Sequence, residues 1–495
     1  MSRFMKNAVL LLLTAAIASS CGAPADTSDT TAAETSSAAD TAPAETEVTS
    51  GVPADVTFDN TLVKILYSPT QDNDEILFAA AEETGDVLND EVYHRNLTVM
   101  DKLQVELEFN IIPPGDILNF VRNSVQAADN TFDMITGPQY QLVKMINDGL
   151  YLNLIDAPYV DTESPWWAGE YISNVNIGND RLYFLTGDIT PLFLRWISCC
   201  YFNKTVYENN YGDPNDMYQL VLEGKWTYDK LAELTQTLYV DNNMNGTTDS
   251  EDMLGYGLIK SALTDSLYLN AGASYMERDS DGMPVLNPVT ELTVSIMEGL
   301  YNIYYGNPAS CVYEPTTWDV FNNDITAKFA QDEMLFLFGY FFTSDYLRDM
   351  ESDYGVIPYP KFDESVAGYR ALVHNDVALC ALPVTCDKTD IVCAVMEELA
   401  FQGYLSTSPA YYDIVLKGKY LRDSSDAAAQ LIDAIHDLAY TETGYAYASM
   451  TQSAGYMHRT LIDNKSGNIA SQWASIQTKA EEALDTLIES YSELE

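Results

Sequence analysis

Apolar residues recur along this chain with two distinct periods. Between Val105 and Ile111 they alternate: Val105, Leu107, Phe109 and Ile111 are apolar, while Glu106, Glu108 and Asn110 are polar. Successive strand side chains point to opposite faces, so this segment predicts a half-buried strand. Val63 to Tyr67 predicts a short buried strand. From Leu88 to Leu103 the spacing becomes helical, with Leu88, Val92, Val99, Met100 and Leu103 near one face. Ile117, Leu118, Val121 and Val125 mark a second helix. Phe132 to Thr136 predicts a third strand, Gly137-Pro138 a turn, and Gln139 to Asn147 a further helix. Strands that alternate with helices pair in parallel through crossover connections. Ligands of such sheets sit beyond the carboxyl ends of the strands. Two loops are thereby nominated, Ser68 to Asp74 and Gly137 to Gln141.

The amino terminus follows a different pattern. Arg3 and Lys6 precede an apolar run, Ala8 to Ile17, broken only by Thr14. That is the length of a secretory h-region and too short for a permanent membrane span. Ala18-Ser19-Ser20 before Cys21 resembles a lipobox, so residues 1–20 are expected to be a cleaved lipoprotein signal, with Cys21 lipidated. Residues 22 to 55 contain no aromatic residue, and Val48 and Val52 are their only large apolar side chains. Such a segment buries too little apolar surface to offset its ordering entropy. Residues 21–57 are therefore expected to be a flexible acidic linker. No other segment is long and apolar enough to cross a membrane.

The chain carries 74 acidic and 25 basic residues, a formal net charge of −49. Cleavage of the signal removes Arg3 and Lys6 and makes the balance more negative. Phosphate-backbone binding depends on Lys and Arg displacing counterions, so nucleic acid is not expected as a partner. Residues 58–495 exceed one ordinary domain, which predicts two lobes. Seven cysteines include Cys21. The other six show no CxxC spacing, and buried free thiols are the simplest assignment.

Residues 241 to 252 place oxygen-bearing groups at the ligand positions of an EF-hand loop: Asp241, Asn243, Asn245, Thr247, Asp249 and Asp252, with Gly246 at the turn. Neutral Asn at two positions and the short Asp252 at the last predict modest Ca2+ affinity. The same residues also suit an Asx-rich turn closed by its own hydrogen bonds. Glu277 to Gly282 is a weaker echo that reads as a hairpin turn.

Several longer segments carry a family resemblance. "VKILYSPTQDNDE", "EETGDVLNDEVYHRNLTVMDKL" and "FDMITGPQYQLVKMINDGLYLNL" follow the spacer. "PWWAGEY", "LYFLTGDITPLFLRWISCCYFNKTVYE", "GKWTYDKLAELTQTL", "DYGVIPYPKFDE" and "LCALPVTCDKTDIVCAVMEELAFQGY" come later. In order and spacing they resemble an extracellular solute-binding protein of an ABC transporter, of the sugar-binding family 1 type. The resemblance covers most of residues 60 to 420. It implies an α/β fold of two lobes, periplasmic-binding-protein-like and of type II, with hinge crossings and an inter-lobe ligand cleft. The first lobe is expected at 58–185 plus 379–420. The second is expected at 186–378 plus 421–495, including the C-terminal helices.

Sugars stack on aromatic rings while carboxylates and amides take their hydroxyls, in a cleft with few placed polar groups. The chain holds 34 Tyr, 17 Phe and 6 Trp, enough to build such a cleft. Tyr67 and Asp72 follow the first strand, and Gln139 and Tyr140 the third. The resemblance places Thr186, Gly187 and Asp188 at the first crossing, with Arg195 and Trp196 following closely, and His374-Asn375-Asp376 near the second. It puts Tyr340 in an aromatic platform, Phe338 to Phe342, while Trp318 stands alone on a loop. Arg195 either binds an acidic ligand or pairs with a neighbouring Asp or Glu. Trp166 and Trp167 either line the cleft or brace the linker. Trp226, before the helix cap Thr227, is assigned to packing.

No Gly-x-Ser-x-Gly, His-Glu-x-x-His or phosphate-loop pattern occurs. His94, His374, His436 and His458 are widely separated. The expectation is a non-enzyme: a monomeric binding protein on the extracellular face of the cell membrane, held by its lipid anchor. It would deliver a small carbohydrate to ABC permease subunits. A surface adhesin or sensor ectodomain is the alternative, and a glycoside hydrolase, which needs only two carboxylates, is a further one. Replacing Cys21 with Ser is expected to move the protein from the membrane to the soluble fraction, because acyl chains supply the membrane affinity. Fractionation in high salt checks this; a variant that stays with membranes refutes the anchor.

Overall fold

The computed structural model describes residues 48–70, 74–412 and 425–493. The signal peptide, Cys21 and Asp72 lie outside them. The predicted strands form the first sheet: β1 (Thr61–Tyr67), β2 (Val105–Ile111) and β3 (Met134–Pro138), joined by β12 (Ala378–Ala381), in the order β12-β3-β1-β2. β1 runs parallel to β2, from Thr61 opposite Val105 to Tyr67 opposite Ile111. It also runs parallel to β3. The helices Val87–Leu103 and Ile117–Ala127 make the crossovers. Gly137-Pro138 is not a turn. Both residues extend β3, because antiparallel β12 places Leu379 opposite Gly137 and Ala378 opposite Pro138. The turn signal of Gly and Pro is overridden by a partner some 240 residues distant, and a Cβ on Gly137 would approach Ile117 Cδ1 to 2.7 Å.

A second sheet contains β4 (Ser198–Asn203), β5 (Leu254–Leu258), β8 (Ser310–Val312), β9 (Met334–Tyr340) and β10 (Tyr354–Ile357), ordered β10-β4-β9-β5-β8. β4 is antiparallel to β9 and β10, and β5 is parallel to β8 and β9. Every residue of β4, β5, β9 and β10 is buried, as the continuous apolar runs require. The 277–282 turn closes a hairpin of β6 (Met276–Arg278) and β7 (Pro284–Leu286), as expected. Thr227 caps the Tyr228–Thr235 helix, and Trp226 is buried with its indole donating to the Pro358 carbonyl at 2.9 Å. The cysteines at 199, 200, 311, 380, 386 and 393 are free thiols.

Two segments connect the sheets by running antiparallel across the middle. Leu185 and Cys380 exchange backbone hydrogen bonds of 3.0 and 2.8 Å at one end. At the other, the His374 amide donates to the Trp196 carbonyl at 3.0 Å. Gly187 has φ +147°, and a Cβ there would stand 2.3 Å from the Trp166 carbonyl oxygen, so a side chain is sterically excluded. β11 (Ala371–Leu372) pairs in parallel with β13 (Ala439–Tyr440), which brings the C-terminal chain back to this crossing as a third strand.

Trp166 and Trp167 brace the start of the domain. Both indoles donate to the Glu397 carboxylate, at 3.2 and 2.9 Å, and the same carboxylate takes the Gly51 amide at 3.0 Å. Ser50 donates to Glu398, and Val52 is 3% exposed. The linker was expected to reach residue 57, but Ser50 and Gly51 are already held, because two carboxylates on the helix Thr389–Gln402 capture them.

The C-terminal helices join a buried ion network. Asp265 on the helix Ala262–Asn270 accepts His458 Nε2 at 2.7 Å and Arg459 Nε at 2.6 Å. His458 Nδ1 bonds the Tyr275 hydroxyl at 2.7 Å, and its ring stacks on Tyr268, centroids 4.7 Å apart. Burial alone would raise the Asp265 carboxyl, but the Arg459 charge and both hydrogen bonds outweigh it and hold it below the ordinary carboxylate range. Asp265→Ala leaves Arg459 and His458 without their shared partner and is expected to cost about 3–5 kcal/mol, the range for breaking a buried pair. The carboxyl titrates below its unfolded value, so its contribution is complete above the ordinary carboxylate range and is lost as pH falls through the folded value. Urea melts of both proteins at neutral and acid pH check this: the difference should shrink in acid.

Candidate functional site

The crossing segments deliver side chains from both sheets to one place. Trp196 is 2% exposed and is the centre of a cluster of five rings, itself and four others: His374 stacks on it at 4.8 Å and 29°, and Phe342, Tyr340 and Trp318 meet it edge-on at 4.8, 5.6 and 5.8 Å. The sequence nominated Trp196, Trp318, Tyr340 and His374 separately, and the fold makes them one cluster. Offset and edge-on pairs each add about 0.5–1.5 kcal/mol beyond their burial. Only Trp318 of the five is not fully buried. Beyond Phe342, Tyr346 extends the row at 6.4 Å and is 46% exposed.

Tyr340 belongs to the back of this cluster. It is 0% exposed, and its hydroxyl donates to the Ala262 carbonyl at 3.0 Å. The chain leaves extended geometry at Phe341 and enters a 3-10 turn through Leu347, so strand alternation stops at Tyr340. Tyr346, not Tyr340, is the ring this platform offers to solvent.

Arg195 lies beside the rings. Its guanidinium pairs with Asp345 at 2.7 Å and sits 6.0 Å over Phe342 and 5.8 Å over Tyr411. Of the two readings left open for Arg195, the ion pair is the one formed. Burial opposes the charge, but Asp345 outweighs it and raises the guanidinium. Asp345 and Arg195 retain 20% and 17% side-chain exposure at this wall.

From the first sheet come Tyr67, Asp74 and Tyr140. Tyr67 is buried and donates its hydroxyl to the Asp74 carbonyl at 2.8 Å, so it anchors the loop beyond β1. Gln139 is 1% exposed; its Nε2 donates to the Ala446 carbonyl at 3.0 Å, tying β3 to the C-terminal segment. Tyr140 is half-buried, with Lys144 Nζ 5.4 Å over its ring. Its amide donates to the Asn375 carbonyl at 3.2 Å, which sets it beside the second crossing.

His374 is a neutral ring. Burial lowers it to about 3, and its Nδ1 accepts the Asp376 amide at 3.2 Å. Asp376 is 16% exposed. Burial pushes its carboxyl up to about 7, Asp74 adds to the rise, and Arg459 opposes it. Asn375 donates to the Tyr456 hydroxyl at 3.0 Å, and Arg459 lies 4.0 Å over that ring. Asp345, Tyr346 and Arg459 were not nominated, whereas Asp74 ends the nominated loop 68–74 and Asp376 follows His374 at the second crossing. Tyr456 and Arg459 come from the C-terminal helices.

Asp188 does not join this group. It accepts Ser408 Oγ at 2.6 Å, and burial pushes its carboxyl up to about 6. It packs against the 403–408 turn because Gly187 redirects the chain. Asp72 lies outside the described residues.

The loop at 241–252 is closed by its own hydrogen bonds. The Asp241 carboxylate takes the Asn245 and Gly246 amides at 3.1 and 2.8 Å, and Asp252 takes those of Asn242 and Asp249, both at 3.0 Å. Asn243 and Asn245 donate to Asp249, and Thr247 bonds the Asn245 side chain. Among the described residues no three acidic, His or Cys side chains converge as a metal site.

No protein-family model and no curated protein sequence matches the chain. Solved structures do. A maltose/maltodextrin-binding domain from Bdellovibrio bacteriovorus, bound to maltotriose, aligns over 87% of this chain and 99% of its own, at 12% identity and TM-score 0.52. UgpB from Mycobacterium tuberculosis, in complex with glycerophosphocholine, aligns over 81% and 96%, at 13% identity and TM-score 0.53. An ABC substrate-binding protein from Listeria monocytogenes, in complex with cycloalternan, aligns over 88% and 100%, at 9% identity and TM-score 0.51. The fold is the two-lobed fold of ABC solute-binding proteins. The two sheets and the antiparallel crossings between them make up that fold here.

Two truncations separate the platform's back from its front. Tyr340→Ala removes a fully buried ring and is expected to cost about 3–5 kcal/mol of fold stability. Tyr346→Ala is expected to melt near wild type. Denaturant melts of the two variants check this, and equal stability losses would refute the assignment.

Proposed function

We propose that this chain is the lipid-anchored, extracellular substrate-binding protein of an ABC importer, taking an oligosaccharide or other small carbohydrate by hinge closure. The observation that carries the reading is the set of side chains the fold brings together around the crossings. Tyr140 and Asp74 come from the first lobe, Trp318, Asp345 and Tyr346 from the second, and Arg195 and Asp376 from the crossings. Half-exposed rings beside carboxylates suit a ligand with C–H faces and hydroxyls. The maltotriose and cycloalternan in structures of the same fold support that class. Because each lobe supplies part of the wall, a ligand that touches both favours the closed form by its differential affinity. The closed form would be the one read by permease subunits. Binding, with no chemical step, is the function proposed, and the protein acts as a monomer. An acidic surface leaves nucleic acid out of its partners.

A glycan-library thermal-shift screen tests the reading, since a bound ligand raises stability by mass action. A member of the library is expected to raise the melting temperature, and Tyr346→Ala should bind that glycan at least several-fold more weakly. If no carbohydrate shifts the melt, an adhesin or sensor ectodomain replaces the importer reading.

We also propose a structural Ca2+ in the loop of residues 241–252. The ion would take the oxygens of Asp241, Asn243, Asn245, Asp249 and Asp252 and the Thr247 carbonyl, displacing the amide donors now on Asp249. Gly246, at φ +76°, supplies the turn such a loop needs. Added calcium is expected to raise the melting temperature and EDTA to lower it, with the response lost in Asp241→Ala. An unchanged wild-type melt leaves the loop an Asx turn.

A further inference from the structure

A cavity of about 830 Å3 lies against the C-terminal helix Ile469–Glu493 and shares no residue with the ring cluster. One wall is a single face of that helix, because Ala470, Trp473, Gln477 and Glu481 follow at intervals of three or four residues. The other wall is the end of β7 at Leu286, the loop from Asn287 to Val289, and the first turns of the helix Glu291–Tyr301. Leu286, Pro288, Val289 and Val294 give it apolar surface. Trp473 is half-buried; among the described residues its ring meets no other ring and its indole N–H has no acceptor.

The polar groups of this cavity are mostly unused acceptors. The Asn287 amide nitrogen already donates to Ser274 at 3.2 Å, and that of Gln477 to Glu481 at 2.8 Å. The Thr290 hydroxyl takes the Thr293 amide at 3.2 Å. Both amide oxygens, the Glu291 carboxylate and the second oxygen of Glu481 accept no hydrogen bond among the described residues. No Lys, Arg or His lines the cavity.

We propose that this cavity binds a small organic ammonium ion, a charged nitrogen carried on a short apolar body. The lining selects that class. Carboxylates with no cation among them repel an anion. A neutral polyol brings as many acceptors as donors, and its acceptors would face oxygens. A bare metal ion has no use for the indole or the apolar surface, and among the described residues no three acidic, His or Cys side chains converge to hold one. An organic cation uses every part of the lining: its charge is attracted to the Trp473 face and to Glu291 and Glu481, while its carbons cover Pro288, Val289 and Val294. The volume lies within the range of small-molecule pockets. A formal net charge of −49 also draws cations to the surface on which the cavity opens. The site is independent of the carbohydrate reading of the crossings.

Calorimetric titration with choline, and with dimethylbutanol as its uncharged carbon isostere, tests the site at constant ionic strength on wild type, Trp473→Leu, Glu481→Gln and Tyr346→Ala. Trp473→Leu keeps apolar contact and removes the ring face. Glu481→Gln removes a charge from an exposed side chain, keeps an oxygen for the Gln477 amide, and is expected to melt like wild type. Wild type is expected to bind choline at least tenfold more tightly than dimethylbutanol. Trp473→Leu and Glu481→Gln are each expected to weaken choline at least several-fold, and Tyr346→Ala to leave it unchanged. The absence of any choline event at millimolar concentration overturns the site. So does equal binding of the uncharged isostere, or a choline event that Glu481→Gln leaves as tight as in wild type. Should Trp473→Leu melt low, Glu481→Gln alone decides. An event lost in Tyr346→Ala instead places choline at the crossings and also overturns the site.

Discussion

The antiparallel crossing of residues 185–197 with 372–380 is the constraint on which the rest of this molecule depends. Its backbone groups are buried, so each must find a partner. Leu185 and Cys380 satisfy each other, His374 donates to Trp196, and Thr186 donates to the Ala378 carbonyl at 2.8 Å. Asn270 closes the far end, accepting the Leu372 amide at 2.8 Å and donating to Ser198 at 2.9 Å. Once these bonds are fixed, Arg195, Trp196, His374 and Asp376 have no freedom to be elsewhere. The ring cluster and the polar wall follow from that register.

Charge scarcity shapes the interior in the same way. With 25 basic against 74 acidic residues, each buried cation has a defined task. Arg195 is fixed by Asp345, and Arg459 by Asp265. Arg95 has no carboxylate; burial lowers it to about 9, and it donates to the Ile189 carbonyl at 2.7 Å and the Phe78 carbonyl at 3.2 Å. Ile189 lies in the first crossing, so this guanidinium bonds the helix Val87–Leu103 to that crossing. Such charges cost desolvation energy and fix geometry in return.

Much of the first lobe was legible in the residues. The alternation at Val105 to Ile111 and the helical spacing from Leu88 to Leu103 are local patterns, set by side chains that must all face one buried surface. Thr227 and the 277–282 turn were legible for the same reason, since caps and hairpins bond within a few residues. Gly137-Pro138 was misread because its partner, β12, lies far along the chain. Tyr346 follows the polar Thr343-Ser344-Asp345 outside the aromatic run and was not singled out; only the switch from strand to 3-10 turn buries Tyr340 and exposes Tyr346.

The sequence by itself therefore determined the periods, the caps, the acidic balance and the set of rings and charges available to a cleft. These depend on neighbours within a turn or a strand. The tertiary structure alone decided which of those groups meet. It turned Asp188 toward Ser408, gave Arg195 to Asp345, and brought Tyr456 and Arg459 from the C-terminal segment to Asn375 and Asp376. The physical reason is burial. Long-range contacts are selected by which polar groups must be satisfied once the apolar faces close, and no local pattern carries that information.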